Sequence, residues 1–344
     1  MSNNSPKITF ILASLRSGSG GALSVTNMIN ELVMRGVDVK LLVLQRSIDD
    51  NYLENFLISP IFININEKNY IEKVPYADVY VATLWTTPPI VKNIADKKKS
   101  QTAYFIQDYE ILFFPKEDEY MRNKVRETYK LIENKFAKTQ WLVEQMKKEG
   151  FNCHKINPGM NLNIFYPLPK KKKKNITILA MSRPSTPRRS TNDLIKSLKI
   201  VKNKYPKVII NLFGEDPKAD LDYNFVGKIS HSELVKHYRN SDIYIDASYS
   251  HGFGRPGVEA LACGCSLVTT DSGGIREYAK HKHNSMIAEV GSPQDIAEKV
   301  CNLIEDPSLR SKLIKNGIET VKNYSEEIPA KQFMDWVEKE ILKK

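Results

Sequence analysis

Residues 241–277 read SDIYIDASYSHGFGRPGVEALACGCSLVTTDSGGIRE, and the fold is predicted outward from this segment. Apolar runs predict one strand at Ile243 to Ala247 and a second at Leu267 to Thr270. Between them, Pro256 is typical of the first turn of a helix, and Gly264 is typical of its end. The segment is therefore predicted to be a strand-loop-helix-strand unit of a parallel α/β sheet.

Glycines dominate both loops of this unit. Gly252 and Gly254 bracket Phe253 before the predicted helix, and the pair Gly273-Gly274 follows the second strand. Glycine lets the backbone approach a ligand closely, and the N–H groups at a helix start favour phosphate. The unit is therefore predicted to bind a ligand that carries phosphate.

Glu259 stands one turn into the predicted helix. An acid in the first turn can simply complement the helix dipole. Beside a phosphate-binding loop, a carboxylate can also accept hydrogen bonds from hydroxyl groups such as those of a ribose. Both interpretations of Glu259 stay open on this residue alone.

The same stretch resembles the signature of the family-four retaining glycosyltransferases, in which an acid and G-F-G precede a proline, a second acid and A-x-A-x-G. The matching residues are Gly252, Phe253, Gly254, Pro256, Glu259, Ala260, Ala262 and Gly264. The resemblance implies an α/β protein of the GT-B fold, with two Rossmann-like domains facing one another across a cleft and a last helix crossing back to the first domain. It also implies transfer of a sugar from a nucleotide diphosphate sugar, with the anomeric configuration retained and without a metal or cofactor.

By this resemblance, residues of the signature hold the donor, and the expected contacts are Phe253, Gly254, Arg255, Pro256 and Glu259, the last on the ribose. His251 stands where the family has its first acid, which contacts the donor sugar. Histidine donates as well as accepts hydrogen bonds, so His251 is predicted as a catalytic residue that reads different sugar hydroxyls or donates toward the leaving oxygen. Two alternatives stay open: His251 is a loop residue with no contact to the sugar, or the chain is a non-catalytic protein of the same fold that binds a nucleotide sugar or a glycan.

The first half of the chain alternates short strands and helices. Strands are predicted at Lys7 to Ser14, Val37 to Leu44, Ile61 to Ile65, Val79 to Leu84 and Ala103 to Ile106, and helices at 51–57, 88–98, 118–134 and 139–149. Such alternation is typical of a mostly parallel sheet covered on both faces.

Two places in this half are candidate ligand contacts. Gly20 and Gly21 follow the first strand at the start of a helical pattern, and by resemblance such a pair lies across the cleft from the donor diphosphate. Gln107 and Asp108 follow the strand ending at Ile106, and ligands of open α/β sheets bind at such carboxyl ends. Many family members have a histidine and an acid near here on the donor sugar, so Gln107 and Asp108 are predicted catalytic positions, with an ordinary loop acid as the alternative.

The second half begins with a predicted strand at Ile176 to Met181, and the loop after it carries Arg183 and Arg189. Two arginines in one loop can converge on one polyphosphate, which arginine binds with a planar fork. In the resembling family an arginine and a lysine at this spacing hold the donor diphosphate, so both arginines are predicted there. The resemblance places Gly214 and Ile229 at the donor as well, with the backbone near Ile229 meeting the nucleotide base.

Prolines, lost periodicity and the lysines at 170–174 predict a linker between two domains. The predicted domains are an acceptor-side Rossmann-like domain at 1–168, a linker at 169–175, a nucleotide-sugar-binding domain at 176–324, and a helix at 325–344 that returns to the first domain. The lysine run is read as solvated, and attraction to an anionic membrane is the minority interpretation.

A net charge of +11 favours a negatively charged partner: nucleic acid, anionic lipid or a nucleotide diphosphate. Nucleic acid is not favoured, because no recognised binding module or interleaved aromatic pattern accompanies the charge. No apolar stretch reaches the length of a spanning helix and residues 1–7 lack a signal-peptide pattern, so the protein is predicted to be cytoplasmic, at most touching a membrane surface. The predicted partners are the nucleotide-sugar donor and a glycan or lipid-linked acceptor.

By subgroup resemblance, the runs F-I-Q-D-Y-E at 105–110 and R-P-S-T-P-R at 183–188 imply bacterial surface-polysaccharide synthesis, with rhamnosyl transfer from dTDP-rhamnose as the finer hypothesis. The D-x-D pattern at Asp220 to Asp222 is read as a solvated turn, so no metal site is predicted.

Overall fold

The computed structural model describes residues 5–15, 20–45, 56–169 and 173–343. The chain divides into two compact units, of which the first is Met1–Gly159 with Glu326–Lys344 and the second is Met160–Ser325. Each unit is built on its own parallel sheet with its own buried clusters.

The first unit has a seven-stranded sheet in which all neighbouring strands are parallel. Its strands are β1 (Ile8–Ser14), β2 (Val39–Gln45), β3 (Ile61–Phe62), β4 (Val79–Ala82), β5 (Gln101–Ile106), β6 (Lys135–Ala137) and β7 (His154–Lys155), in the order β3-β2-β1-β4-β5-β6-β7. Its helices up to residue 159 are α1 (Gly20–Met34), α2 (Pro88–Lys98), α3 (Glu119–Lys130) and α4 (Gln140–Lys148).

Side chains of β1 alternate between the two faces of this sheet, as a strand requires. Phe10 and Leu12 lie in one buried cluster, whereas Ile11 lies in the other. The sheet is therefore covered on both faces, as predicted. The strands β6 and β7 were not predicted, because runs of three and two residues are too short to show a period.

Two predicted helices in this unit have different outcomes. The helix predicted at 118–134 ends at Lys130, four residues early, and β6 follows. Residues 51–55 of the helix predicted at 51–57 lie outside the described residues, and residues 56 and 57 are not helical.

The second unit has a six-stranded parallel sheet. Its strands are β8 (Thr177–Ser182), β9 (Ile209–Gly214), β10 (Asn224–Gly227), β11 (Ile243–Asp246), β12 (Ser266–Thr270) and β13 (Ser285–Ala288), in the order β10-β9-β8-β11-β12-β13. Its helices are α5 (Thr191–Lys204), α6 (His231–Arg239), α7 (Arg255–Ala262), α8 (Pro293–Glu305) and α9 (Pro307–Val321). The strand order reverses between β8 and β11, and such a switch point is where open α/β sheets bind ligands.

Glycines flank the helix α7, which has Pro256 in its first turn and ends near Gly264, as the sequence predicts. Gly254 precedes it with φ of 81°, and Gly264 follows its end with φ of 79°. The backbone N–H of Cys265 donates to the carbonyl of Ala260 at 2.9 Å, which satisfies one of the last carbonyls of the helix.

The C-terminal helix α10 (Glu327–Trp336) belongs to the first unit, as predicted, and continues as one π turn at Val337–Ile341. The ring of Phe333 lies 5.6 Å from that of Phe10 and 5.2 Å from that of Phe136. This apolar contact holds the end of the chain against β1 and β6. Among the described helices, none combines the length and the apolar composition that crossing a membrane requires.

Candidate functional site

The loops after β8 and β11 carry charged side chains on both sides of the switch point of the second unit. Arg183 directly follows β8, and Arg189 ends a short 3-10 turn at Pro187–Arg189. His251 lies in the loop between β11 and α7. The structure thus brings two of these predicted residues, Arg189 and His251, into contact.

A chain of polar contacts runs from Arg189 through His251 to Asp246. The Nη1 of Arg189 contacts Nδ1 of His251, and it lies 3.3 Å from the carbonyl oxygen of Ser250. The Nε2 of His251 lies 2.7 Å from Oδ2 of Asp246. Because a guanidinium only donates hydrogen bonds, Nδ1 accepts from Arg189, and the ring proton on Nε2 is donated to Asp246.

Asp246 is the last residue of β11 and is only 6% exposed. Its Oδ1 accepts a hydrogen bond of 3.1 Å from the backbone N–H of Ser248. Burial alone would raise the pKa of Asp246, but His251, the hydrogen bonds from His251 and Ser248, and the charge of Arg189 together lower it well below its ordinary value. Asp246 is therefore a buried carboxylate.

Sequence reasoning missed Asp246, because I-Y-I-D-A reads as the apolar run of a strand. The available signal was an acid at the carboxyl end of a predicted strand, five residues before the histidine that replaces the family acid. The contact between them depends on the path of the loop at 247–250, which no local pattern predicts.

The loop containing His251 packs against the loop after β12. The backbone N–H of His251 donates to the carbonyl of Ser272 at 2.8 Å, and the N–H of Gly274 donates back to His251 at 2.9 Å. A Cβ at Gly274 would lie 2.4 Å from the carbonyl carbon of Gly252. The pair Gly273-Gly274 therefore lets two backbones meet, and the prediction that its small size serves ligand approach is corrected at Gly274.

Gly254 and Phe253 fix the start of α7. Phe253 is 2% exposed, and its ring lies 5.4 Å from that of Tyr278 and 5.7 Å from that of Tyr324. The hydroxyl of Tyr278 donates to the carbonyl of Gly254 at 2.8 Å, and a Cβ at Gly254 would lie 2.8 Å from Ile275. The side chain of Phe253 is thus part of the core, while the half-buried Pro256 stands in the first turn of α7.

Glu259 is buried, at 3% exposed, beside two polar side chains. The Nε of Arg255 donates to its Oε1 at 3.2 Å, and the hydroxyl of Tyr238 lies 3.5 Å from its Oε2. His231 lies near this pair, and the pKa of His231 is lowered by burial and by the charge of Arg255, against the opposing charge of Glu259. Ile229 is partly buried against the core cluster that contains Tyr238. The contact of Glu259 with a ribose stays a prediction.

The ends of β8 and β9 meet at Gly214. Its φ is 104°, and a Cβ there would lie 2.5 Å from the carbonyl oxygen of Ser182. The carboxylate of the next residue, Glu215, accepts two hydrogen bonds from Ser185, one from Oγ at 2.7 Å and one from the backbone N–H of Ser185 at 3.1 Å. These hydrogen bonds, and then the charges of Arg183 and Lys228, lower the pKa of Glu215. The loop that carries Arg183 is therefore fixed to the end of β9.

The first unit holds the other predicted residues. Gly20 and Gly21 are the first two residues of α1, and a Cβ at Gly21 would lie 3.5 Å from Oε1 of Gln107. Gln107 donates from Nε2 to the carbonyl of Thr83 at 3.1 Å, and its buried Oε1 has no hydrogen-bond partner among the residues that the structure describes. Asp108 is half-buried and accepts from the backbone N–H of Tyr109 at 3.0 Å.

The structure thus brings Gly21 and Gln107 together, while residues 16–19 of the preceding loop lie outside the described residues. No cluster of three histidine, cysteine or carboxylate side chains arranged for a metal ion occurs in the described parts of the chain.

Residues 165–320 match the model of the family described as glycosyl transferases group 1. The chain is 28% identical over 203 residues to N,N'-diacetylbacillosaminyl-diphospho-undecaprenol alpha-1,3-N-acetylgalactosaminyltransferase of Campylobacter jejuni. This match covers 54% of this chain and 54% of that protein. It is 30% identical over 143 residues to the capsular polysaccharide biosynthesis glycosyltransferase CapM of Staphylococcus aureus, covering 38% of each. The matched segments thus span about half of the first relative and less of the second.

Among solved structures, HepE of Anabaena in complex with UDP-glucose resembles this chain with a TM-score of 0.81. The match covers 96% of this chain and 99% of that one at 17% identity, which shows a common fold. The fold predicted from the sequence, GT-B with two parallel α/β sheets, is confirmed.

Proposed function

Because residues 165–320 belong to the glycosyl transferases group 1, we propose that the protein transfers a sugar from a nucleotide diphosphate sugar to a hydroxyl of a glycan or lipid-linked acceptor. In this proposal the anomeric configuration is retained and no metal takes part. The observation that carries it is the pair Arg183 and Arg189 on one loop at the switch point of the second unit.

The reaction needs stabilisation of the negative charge that develops on the departing diphosphate. Two guanidinium groups supply fixed positive charge, and Arg189 is held in place by its contacts with His251 and Ser250. The N-terminus of α7 adds the partial positive charge of a helix dipole. Hydrogen-bond donors that are already in position need no reorganisation in the transition state. In the same-face mechanism that the family resemblance implies, no side chain has to attack the sugar.

The nucleoside is assigned to the region around Glu259 and Ile229, with Gly214 and the backbone of 253–256 lining the donor. Glu259 uses one oxygen for Arg255, and an ionised carboxylate has further lone pairs for the two hydroxyls of a ribose. The ion pair with Arg255 orients the carboxylate.

The acceptor and part of the donor sugar are assigned to the first unit. Within the described part of the chain, the buried Oε1 of Gln107 has no hydrogen-bond partner, and a buried acceptor is stabilised when it gains a donor. A sugar hydroxyl is such a donor, which supports the assignment of Gln107, together with Asp108, to the sugar. Gly20 and Gly21 leave the start of α1 without bulky side chains beside Gln107.

The names of the relatives support surface-polysaccharide synthesis, since one names an undecaprenol-linked diphosphate and another names capsular polysaccharide biosynthesis. We propose a cytoplasmic protein that a lipid-linked acceptor would bring to the membrane surface, where its net charge of +11 favours anionic lipid. For the donor, we propose a hexosyl or deoxyhexosyl nucleotide, with dTDP-rhamnose as the finer hypothesis from the 105–110 and 183–188 runs.

Incubation with a panel of UDP, GDP and dTDP sugars, with and without a lipid-linked acceptor, tests the proposal. Release of nucleoside diphosphate from one donor, accelerated by acceptor, is the expected result. Tight binding of a donor without release would instead favour the non-catalytic alternative that His251 leaves open. Neither release nor binding with any donor would contradict both.

A further inference from the structure

We propose that Asp246 is a positioning residue, which acts through His251 to orient the guanidinium of Arg189 toward the donor diphosphate. The inference rests on the proposed function and deepens it by adding a residue that does not itself touch the donor. It also gives His251 a role in phosphate binding instead of direct contact with the sugar.

The geometry gives the three side chains a fixed order. Oδ2 of Asp246 accepts a hydrogen bond from Nε2 of His251 at 2.7 Å, and Nδ1 of His251 contacts Nη1 of Arg189. The histidine ring is 2% exposed and the aspartate 6% exposed, so water does not compete strongly for either contact. Both ring nitrogens are therefore engaged within the protein.

The carboxylate determines which ring nitrogen carries the proton. Asp246 accepts from Nε2–H, which leaves the lone pair of Nδ1 directed at Arg189. Without an acceptor at Nε2, the neutral ring could place its proton on Nδ1, where it would face the donating guanidinium. Nη1 of Arg189 also lies 3.2 Å from Nε2, but it is nearer to Nδ1. By accepting from Nε2–H, Asp246 thus favours the tautomer in which Nδ1, the nearer ring nitrogen, accepts a hydrogen bond from Arg189.

The histidine is held by its backbone as well as by its side chain. Its N–H donates to the carbonyl of Ser272 and its carbonyl accepts from the N–H of Gly274, so the backbone of His251 cannot shift without moving the loop after β12. Asp246 is fixed in turn by the backbone N–H of Ser248 at 3.1 Å. A long arginine side chain loses much rotamer freedom when it binds a ligand, and such an anchor removes part of that loss beforehand.

Calorimetry with Asp246→Asn tests the inference. The probe is whichever of UDP, dTDP and GDP the wild type binds most tightly, and the matching nucleoside is measured by competition. The variant should bind the nucleoside diphosphate about tenfold more weakly while its nucleoside affinity changes less than about twofold. Asp242→Asn is the matched control, because Asp242 lies just before β11 and accepts from the backbone N–H of Thr177 at 2.8 Å. It should leave both affinities unchanged.

A double-mutant cycle separates positioning from general structural support. If Asp246 acts through Arg189, adding Asp246→Asn to Arg189→Ala should weaken diphosphate binding by less than about twofold further. Fully additive losses in the double variant would overturn the inference, since they would show that Asp246 acts without Arg189.

His251 variants provide a second route should Asp246→Asn not fold. His251→Asn keeps an acceptor near the position of Nδ1, so it should retain more diphosphate affinity than His251→Ala. If His251→Ala instead lowers kcat with unchanged diphosphate affinity, His251 contacts the sugar directly and the inference is wrong. A wild type that binds none of the three nucleotides would remove the proposed function as well, whereas normal binding by Asp246→Asn would remove the inference alone.

Discussion

The two sheets reverse their strand order in the same way, yet the side chains at the two reversals differ. In the first unit the reversal lies between β1 and β4, and the described residues around it include the uncharged Gly20, Gly21, Thr83 and Gln107, with Asp108 following Gln107. In the second unit it lies between β8 and β11, and the residues around it are charged or titratable: Arg183, Arg189, Asp246 and His251. Strand order therefore determines where a site can form, and the difference in side chains is why we propose that the second unit binds the phosphates.

The glycines of the two regions also serve different purposes. A Cβ at Gly21 would meet Gln107 at 3.5 Å, an ordinary contact distance, whereas a Cβ at Gly274 would lie 2.4 Å from backbone. The packing around Gly21 thus has room for a Cβ, so its small size is not needed for folding and is available for a ligand. The second is required for folding.

Replacing each of these glycines by alanine tests this difference and gives the largest expected effect. Gly274→Ala should lower the free energy of unfolding by about 3 kcal/mol, because backbone atoms of Gly252 cannot move aside as a side chain can. Gly21→Ala should leave stability unchanged or slightly higher, because alanine is a better helix former than glycine. Denaturant unfolding of both variants measures this. Equal destabilisation would show that Gly21 is structural too.

Removing either arginine tests whether the second unit binds the phosphates. Arg183→Ala and Arg189→Ala should each weaken nucleoside diphosphate binding by about 2.5 kcal/mol, a value within the range for a hydrogen bond to a charged group. The affinity for the nucleoside should change little. Gln107→Ala in the first unit is the comparison and should leave the affinity for nucleoside diphosphate unchanged. Calorimetric titration measures all three variants. A loss that is equal for nucleoside and diphosphate would indicate a folding defect instead.

Glu259 tests the nucleoside part of the same site. Glu259→Gln keeps the size of the side chain but removes the charge that pairs with Arg255, and it should weaken the nucleoside and its diphosphate alike by about 2 kcal/mol. Competition binding with nucleoside and nucleoside diphosphate measures the two losses. Unchanged affinity for the nucleoside would remove Glu259 from the ribose.

For two buried acids, one in each unit, we expect opposite dependences of the free energy of unfolding on pH. These are the smallest of the expected effects. The pKa of Asp246 is lowered, so its stabilisation is present above its unfolded pKa of about 3.9 and is lost as the pH falls toward its folded pKa. Asp246→Asn should therefore lower stability by about 1.5 kcal/mol at pH 7, and the difference from wild type should shrink below about pH 4.

Glu31 in the first unit has a pKa that is raised, mainly by burial, with Arg35 opposing and Glu327 adding to the rise. Its ionised form therefore destabilises the folded state at neutral pH, and this effect disappears as the pH falls below its unfolded pKa. Glu31→Gln should gain less than about 1 kcal/mol at pH 7 and nothing in acid. Thermal unfolding from pH 7 to pH 3 compares both variants, and the same sign of change in both would contradict the assignment.

The sequence predicts the second unit well where local patterns are strong. The glycines at 254 and 264 define the ends of α7, and the apolar runs define β11 and β12 nearly to the residue. These features depend on neighbours within a few positions, so a single sequence contains the information.

Contacts that form between distant segments could not be predicted in this way. The packing of Gly274 on Gly252 and the placement of the Phe253 side chain beside Tyr324 depend on how two loops and a distant turn meet. The link between His251 and Asp246 is close in sequence, but it depends on the fold of the intervening loop. The donor contacts predicted by resemblance stay predictions until a ligand is bound.

Calorimetric titration of the wild-type protein with UDP, dTDP and GDP, each compared with its nucleoside, tests whether the second unit binds the diphosphate. We expect one nucleoside diphosphate to bind at least about tenfold more tightly than its nucleoside, because the proposed role of Arg183 and Arg189 is to hold the two phosphates. Equal affinity for nucleoside and diphosphate, or no binding of any of the three, would contradict it.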